Sequence, residues 1–118
     1  MDPELITQVL VNLIDNAIKY AEPDGTISVS VQTEEHNIIF QVKDTGIGIP
    51  KRELERIFER FYRVDTGGAN QIKGTGLGLS IAKHIVLQHS EKIWVESEVG
   101  EGTSVFFSVK KQRNTTLP

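Results

Sequence analysis

The sequence predicts a two-layer α/β sandwich of the α+β kind, in which three helices cover one face of a mixed, mainly antiparallel sheet. Two observations predict it. Segments with helical and strand periodicity follow one another in the order helix, hairpin, helix, loop, helix, hairpin. The chain of 118 residues also has the length of one domain with a sizeable core.

The first predicted helix covers residues 2–20 and begins at Asp2 or Pro3. Its apolar side chains recur at helical spacing and cover a broad face. They are Ile6, Val9, Leu10, Leu13, Ile14 and Ala17. A narrow polar stripe lies beside them, formed by Gln8, Asn12, Asp15, Asn16 and Lys19.

Four strands are predicted as two hairpins. Residues 26–33 alternate apolar and small polar side chains, which is typical of a half-buried strand, and residues 38–43 pair with them antiparallel after a short turn. Residues 92–98 and 103–109 form the second hairpin around the glycine-containing turn at 99–102.

Two further helices are predicted between the hairpins. Pro50 stands where a helix can begin, and residues 51–61 carry apolar side chains on one face. Residues 62–73 lack an apolar period and contain two adjacent glycines, which predicts a mobile loop. The third helix covers residues 80–89, and residues 111–118 form a polar tail after the domain at 1–110.

Composition excludes several classes of function. A net charge of −3 argues against nucleic acid as the main partner. The absence of cysteine excludes a disulfide framework. We find neither a signal peptide nor an apolar segment long enough to span a membrane.

The polar stripe of the first helix is the first candidate site. Asn12 and Asn16 lie one turn apart on one face, although asparagine is a mediocre helix former. The amide oxygen of Asn16 can bind Mg²⁺, and Lys19 can reach a phosphate. The alternative is a solvated helix face.

Two glycine-containing stretches are the next candidates. Asp44 ends the second strand before Gly46 and Gly48, so its carboxylate can lie deep in a pocket and accept a hydrogen bond from a purine amine. The stretch 74–79 opens the third helix and can offer backbone N–H groups to a phosphate. A capping aspartate and a flexible turn are the alternatives.

Two cations flank the predicted mobile loop. Arg60 and Arg63 carry guanidinium groups that suit phosphate oxygens. The alternative is the charged outer face of an amphipathic helix.

Together and in this order, these stretches resemble a known family, the ATP-binding catalytic domain of sensor histidine kinases, within the group of gyrase, Hsp90 chaperones and MutL. Residues 12–20 resemble its N box, 44–48 its G1 box, 57–61 its F box and 74–79 its G2 box, and 100–103 resemble a later glycine turn. The resemblance covers roughly residues 2–110 and implies the Bergerat-type ATP-binding fold.

The resemblance implies roles around Mg²⁺ and the phosphates of ATP. Asn16 would be the metal ligand, and Asn12 would help to hold the metal and phosphates. Lys19 and Tyr20 would contact phosphate or line the nucleotide.

It also implies roles at the adenine and in the loop over ATP. Asp44 would accept a hydrogen bond from the adenine amine, with Gly46 and Gly48 letting the base approach. Residues 62–73 would form the lid. The other implied nucleotide contacts are Ile49, Arg60, Arg63, Lys73, Gly74, Thr75, Gly76, Leu77, Gly78, Leu79 and Thr103.

Two departures from the family pattern stand out. Ser90 and Glu91 replace a frequent glycine pair after the third helix, so we expect a stiffer turn. Lys73 is the one cation of the lid after Arg63, which puts phosphate contacts from the lid in doubt.

The resemblance also favours a reaction, with Asn12, Asn16, Lys19 and Arg60 as its catalytic residues. Related ATPases carry a water-activating glutamate one turn before the metal-binding asparagine, where this chain has Asn12, which cannot act as a base. We therefore expect phosphoryl transfer to a histidine rather than ATP hydrolysis. An ATP-binding regulatory module and an ATPase of the same fold are the alternatives.

The expected partner is a dimerisation and histidine phosphotransfer domain of the same kinase, with a response regulator downstream. None of His36, His84 and His89 lies in the sequence context of a phosphoacceptor. We therefore expect a monomeric nucleotide-binding piece of a larger, homodimeric kinase. By the same resemblance, the domain would be cytoplasmic and the whole protein anchored in the bacterial membrane.

Overall fold

The computed structural model describes residues 2–20, 24–59 and 78–111, with the side chain of Tyr20 excepted. Within these ranges the elements are α1 (Pro3–Tyr20), β1 (Ile27–Thr33), β2 (Asn37–Asp44), a 3₁₀ helix (Lys51–Glu53), α2 (Gly78–Gln88), β3 (Ile93–Glu98) and β4 (Gly102–Lys110). Neither of these α-helices has the length and apolar character needed to cross a membrane.

The four strands form one sheet in the order β1-β2-β4-β3, so β4 lies at the centre although it comes last in the chain. Every pairing among the described strands is antiparallel, which confirms both hairpins and leaves no parallel pair among them. The register places Asp44 opposite Ile27 on one side and opposite Thr103 on the other. The end of β2 is therefore enclosed by both neighbouring strands.

The helices pack on one face of this sheet, as the two-layer prediction requires. Phe40 and Phe107 face each other on β2 and β4, and their rings stack in the core with centroids 4.9 Å apart. Helix α1 starts where Asp2 accepts a hydrogen bond from the Glu4 N–H at 2.9 Å. Its fully buried side chains recur every four residues and are Val9, Leu13 and Ala17.

The predicted helix over residues 51–61 is wrong within the described residues, since only Lys51–Glu53 are helical, as one 3₁₀ turn, and hydrogen-bonded turns follow up to residue 59. Hydrogen bonds here join residues three apart, as between the Leu54 N–H and the Lys51 carbonyl at 3.3 Å. Three residues per turn keep Leu54 and Ile57 on the same face, against the core. Packing therefore overrides the helical propensity of this segment, and the described residues contain two α-helices rather than three.

The turn after α2 shows how Ser90 replaces glycine. Ser90 has φ of 58°, the left-handed conformation that glycine usually supplies at a helix C-terminus. The Glu91 N–H returns to the Val86 carbonyl at 3.1 Å, which completes a Schellman-type end. The predicted lid at 62–73 and most of the tail, 112–118, lie outside the described residues.

Candidate functional site

The carboxylate of Asp44 is buried at the end of β2, with 3% of the residue exposed. It accepts hydrogen bonds from the Gly46 N–H, at 2.8 Å, and from the Thr103 N–H. Burial raises the pKa of Asp44, and these two N–H groups oppose that shift. The carboxylate is thus fixed by backbone donors and can still accept a bond from a ligand, because its two oxygens have about four lone-pair sites.

The loop after Asp44 is anchored at both sides. Thr45 and Thr26 bond reciprocally, since the Thr26 N–H donates to the Thr45 hydroxyl at 2.8 Å and the Thr45 N–H donates to the Thr26 carbonyl at 3.1 Å. On the other side the Gly100 N–H donates to the Ile47 carbonyl at 3.0 Å. The loop therefore joins the start of β1 to the turn between β3 and β4.

Two glycines permit this close packing of backbone on backbone. Gly48 has φ of 76°, and a β-carbon there would overlap the Glu98 carbonyl. Gly102 has φ of 125°, and a β-carbon there would overlap the carbonyl of Asp44 itself. Close backbone packing therefore explains the glycine at position 48. The approach of a base to Gly48 stays a prediction.

Ser97 is a site residue that the sequence reasoning missed. Its hydroxyl accepts the Ile49 N–H at 2.7 Å and lies 2.7 Å from the Thr103 hydroxyl and 2.9 Å from the Gly102 carbonyl. It thereby ties the loop after Asp44 to both strands of the second hairpin. The available signal was the alternation along β3, where Ser97 takes the inward position that Ile93 and Val95 take before it.

The polar stripe of α1 meets the N-terminus of α2. A β-carbon at Gly78 would lie 3.8 Å from the Asn12 carbonyl oxygen, in ordinary contact. The side-chain amide nitrogen of Asn12 is buried and has no hydrogen-bond partner among the described residues. Asn16 lies one turn later and is half-buried, and Lys19 is exposed. A buried amide donor without an acceptor among the described residues can donate to an anionic group such as a phosphate.

The remaining predicted contacts divide into two groups. Ile49 and Leu79 are buried in the hydrophobic core, exposed by 2% and 6%, so their side chains also support the fold. The other predicted contacts lie outside the described residues: the side chain of Tyr20 and the residues Arg60, Arg63, Lys73, Gly74, Thr75, Gly76 and Leu77.

The first three residues of the predicted F box, 57–59, lie within the described residues. Ile57 is buried in the core, and Phe58 packs against it. The Lys83 ammonium of α2 lies 5.4 Å from the centre of the Phe58 ring, a cation–π contact. This segment is thereby attached to the helix that follows the glycine-rich stretch.

Known proteins are similar to this chain in sequence. Over 111 residues the chain is 48% identical to sensor histidine kinase WalK of Bacillus subtilis (strain 168), a match that covers 92% of this chain and 18% of the relative. The chain therefore spans about a fifth of the length of this relative.

Two solved structures have the same fold. A mycobacterial sensor histidine kinase, MprB, is 30% identical with a TM-score of 0.81, over 93% of this chain and 74% of that one. Full-length ShkA in complex with AMPPNP is 30% identical with a TM-score of 0.75, over 89% of this chain and 21% of that one.

The family described as histidine kinase-, DNA gyrase B-, and HSP90-like ATPase matches residues 1–113, nearly the whole chain. This match and the relatives above confirm the resemblance drawn from the four boxes. The α+β fold class is confirmed as well, with the number of helices corrected. The chain belongs to the histidine kinase-, DNA gyrase B- and HSP90-like ATPase family, among the ATP-binding domains of sensor histidine kinases.

Proposed function

We propose that this chain binds ATP with Mg²⁺ and presents the γ-phosphate to a histidine on a separate helical domain of the same kinase. The observation that carries the proposal is the Asn12 side chain, a buried amide without a hydrogen-bond partner among the described residues, on the residue whose backbone carbonyl lies near Gly78 at the start of α2. An amide can donate to a phosphate oxygen but cannot take a proton from water, which favours transfer over hydrolysis.

The roles of the other residues follow from their places. Asp44 accepts a hydrogen bond from the adenine amine. The similarity to the ShkA structure in complex with AMPPNP supports nucleotide binding by this fold. Asn16 supplies an oxygen to Mg²⁺, which prefers such ligands and neutralises phosphate charge when bound. Lys19, exposed at the end of α1, binds phosphate oxygens in this proposal.

The acceptor lies elsewhere in this proposal. His36 is exposed in the turn between β1 and β2, and His84 is exposed on α2. The ring of His89 contacts the Ile85 carbonyl at 2.8 Å, so it caps the end of that helix. The proposed partners are therefore a histidine-bearing helical hairpin and, downstream, a response regulator, in a homodimeric, membrane-anchored kinase whose isolated domain is a cytoplasmic monomer.

Radiolabelled ATP tests the proposal. The chain alone should neither release phosphate steadily nor become labelled. Adding a helical hairpin that bears the acceptor histidine should transfer label to the hairpin, because positioning the acceptor supplies much of the rate. The control is the same hairpin with glutamine in place of its histidine.

Two results would contradict the proposal. Steady phosphate release from the chain alone would indicate an ATPase. Binding of ATP without transfer to any hairpin would indicate a regulatory nucleotide-binding module.

A further inference from the structure

The proton positions around the Ser97 hydroxyl are fixed by its partners. A serine hydroxyl donates one hydrogen bond and accepts two. The Gly102 carbonyl, 2.9 Å away, can only accept, and the Ile49 N–H, 2.7 Å away, can only donate. The single proton of Ser97 therefore goes to Gly102, and the Thr103 hydroxyl at 2.7 Å must donate to Ser97.

This arrangement determines what the Thr103 hydroxyl offers to a ligand. With its proton directed to Ser97, the Thr103 oxygen retains its lone pairs and acts as an acceptor. Asp44, directly opposite in the register, is also an acceptor, and it receives the Thr103 backbone N–H. Both side chains are at least 96% buried, so bulk water cannot easily compensate a mismatched ligand.

We propose that Ser97 is a specificity-determining positioning residue, which holds the Thr103 hydroxyl as a second acceptor beside Asp44 and so selects a 6-amino purine over a 6-keto purine. An exocyclic amine donates two hydrogen bonds, whereas a keto oxygen would face two acceptors. This inference rests on the proposed function, because it concerns the same nucleotide site.

Calorimetric titration with Mg²⁺-ATP and Mg²⁺-ITP tests the inference, because the two purines differ at position 6. The wild-type chain should prefer ATP. Ser97→Ala frees the Thr103 hydroxyl to rotate and donate, so the ATP-to-ITP affinity ratio should fall about tenfold, the effect of one buried hydrogen bond.

Ser108→Ala is the matched control. Ser108 lies towards the other end of β4, where its hydroxyl accepts the Lys92 N–H at 3.0 Å and donates to Glu91 at 2.9 Å. This variant removes two side-chain hydrogen bonds away from the site, so stability should fall while the ATP-to-ITP ratio stays as in the wild type.

Thr103→Val provides a second test that spares the other bonds of Ser97. Valine matches threonine in shape and removes only the hydroxyl, so the ratio should fall as for Ser97→Ala. Hydrogen exchange at the Ile49 amide should be faster in Ser97→Ala and unchanged in Thr103→Val, because only the first variant removes its acceptor.

The outcomes separate the two proposals. A wild-type chain that binds neither nucleotide overturns the proposed function and this inference together. A wild-type preference for ATP with an unchanged ratio in both variants overturns the inference alone. Equal losses for ATP and ITP in Ser97→Ala assign Ser97 a structural role only, and if that variant fails to fold, an unchanged ratio in Thr103→Val overturns the inference.

Discussion

Replacing the carboxylate of Asp44 by an amide, Asp44→Asn, separates stability from nucleotide binding. The amide keeps one oxygen to accept from Gly46 or Thr103, but its NH₂ group meets the other backbone donor. The loss of one buried hydrogen bond costs about 1 kcal/mol. The variant gains stability in turn, because it no longer has to bury an ionisable group in a charged state.

The sign of the pH dependence follows from the pKa of Asp44, which burial raises above its ordinary value of 3.8. The folded chain therefore holds this proton more tightly than the unfolded chain does. Wild-type stability should fall as pH rises from that ordinary value through the raised pKa, and Asp44→Asn should lack this contribution. At neutral pH the variant should thus lie within about 1 kcal/mol of the wild type.

Binding should respond much more strongly than stability. A hydrogen bond to a charged acceptor contributes about 1.5–3 kcal/mol, so ATP affinity should fall by about ten- to a hundredfold. Affinity for GTP, which offers a keto oxygen at the same place, should change far less. Competition binding with both nucleotides measures the difference, and urea unfolding across pH measures stability.

Glu98→Gln is the matched control for loss of a nearby negative charge. Glu98 is an exposed carboxyl group at the turn between β3 and β4. Its pKa is raised because its protonated form donates a hydrogen bond to Glu101 and because the negative charge of Glu101 repels its charged form. ATP affinity should change less than twofold, an exposed-charge effect. An equal loss for ATP and GTP in Asp44→Asn would refute direct contact between Asp44 and the base.

Three further variants and one control test the packing at Gly48, the turn at Ser90 and the proposed metal ligand Asn16. Gly48→Ala should destabilise by several kcal/mol or prevent folding, because its β-carbon would overlap the Glu98 carbonyl. Gly100→Ala is the control: its φ of 87° is equally unfavourable, but a β-carbon there meets no described atom within 4 Å, so equal losses in thermal unfolding would refute the packing argument. Ser90→Gly should stabilise by about 0.5–1 kcal/mol in urea unfolding, because glycine adopts the left-handed conformation without the side-chain penalty, and a less stable variant would count against this. Asn16→Ala should lose most Mg²⁺-dependent ATP affinity with circular dichroism unchanged, and calorimetry with and without Mg²⁺ would reject the assignment if the affinity persisted.

Periodicity was sufficient for the buried face of α1, where the four-residue spacing of Val9 and Leu13 matches the structure. It also predicted the strand at β1, but not its burial. Val29 and Val31 are 47% and 57% exposed, and only Ile27 is partly buried, because β1 lies at the edge of the described sheet. The segment after Pro50 failed the same test because its apolar spacing suits both three and 3.6 residues per turn. Tertiary packing decides between those two periods, and local periodicity in the sequence does not reveal which distant residues this segment contacts.

In the candidate site, too, some residues could be predicted from the sequence and others could not. The burial of Asp44 could be expected from the sequence because the strand before it and the glycines after it are local features. Ser97 could not, because its function depends on Thr103 and Ile49, which are brought to it by strand order and a distant loop. A central strand that comes last in the chain, as β4 does, is not indicated by any local pattern.

The two ends of the site are prepared for a ligand in different ways. At Asp44 the backbone donors Gly46 and Thr103 offset part of the cost of burying a carboxylate, and glycines let the neighbouring turns close around it. At Asn12 a donor is buried without an acceptor among the described residues, and in the proposed function the ATP phosphates supply one. In that function the Asp44 end would fix the identity of the base before binding. The Asn12 end would gain most of its stabilisation from the phosphates, so affinity there would depend on the charge that the ligand brings.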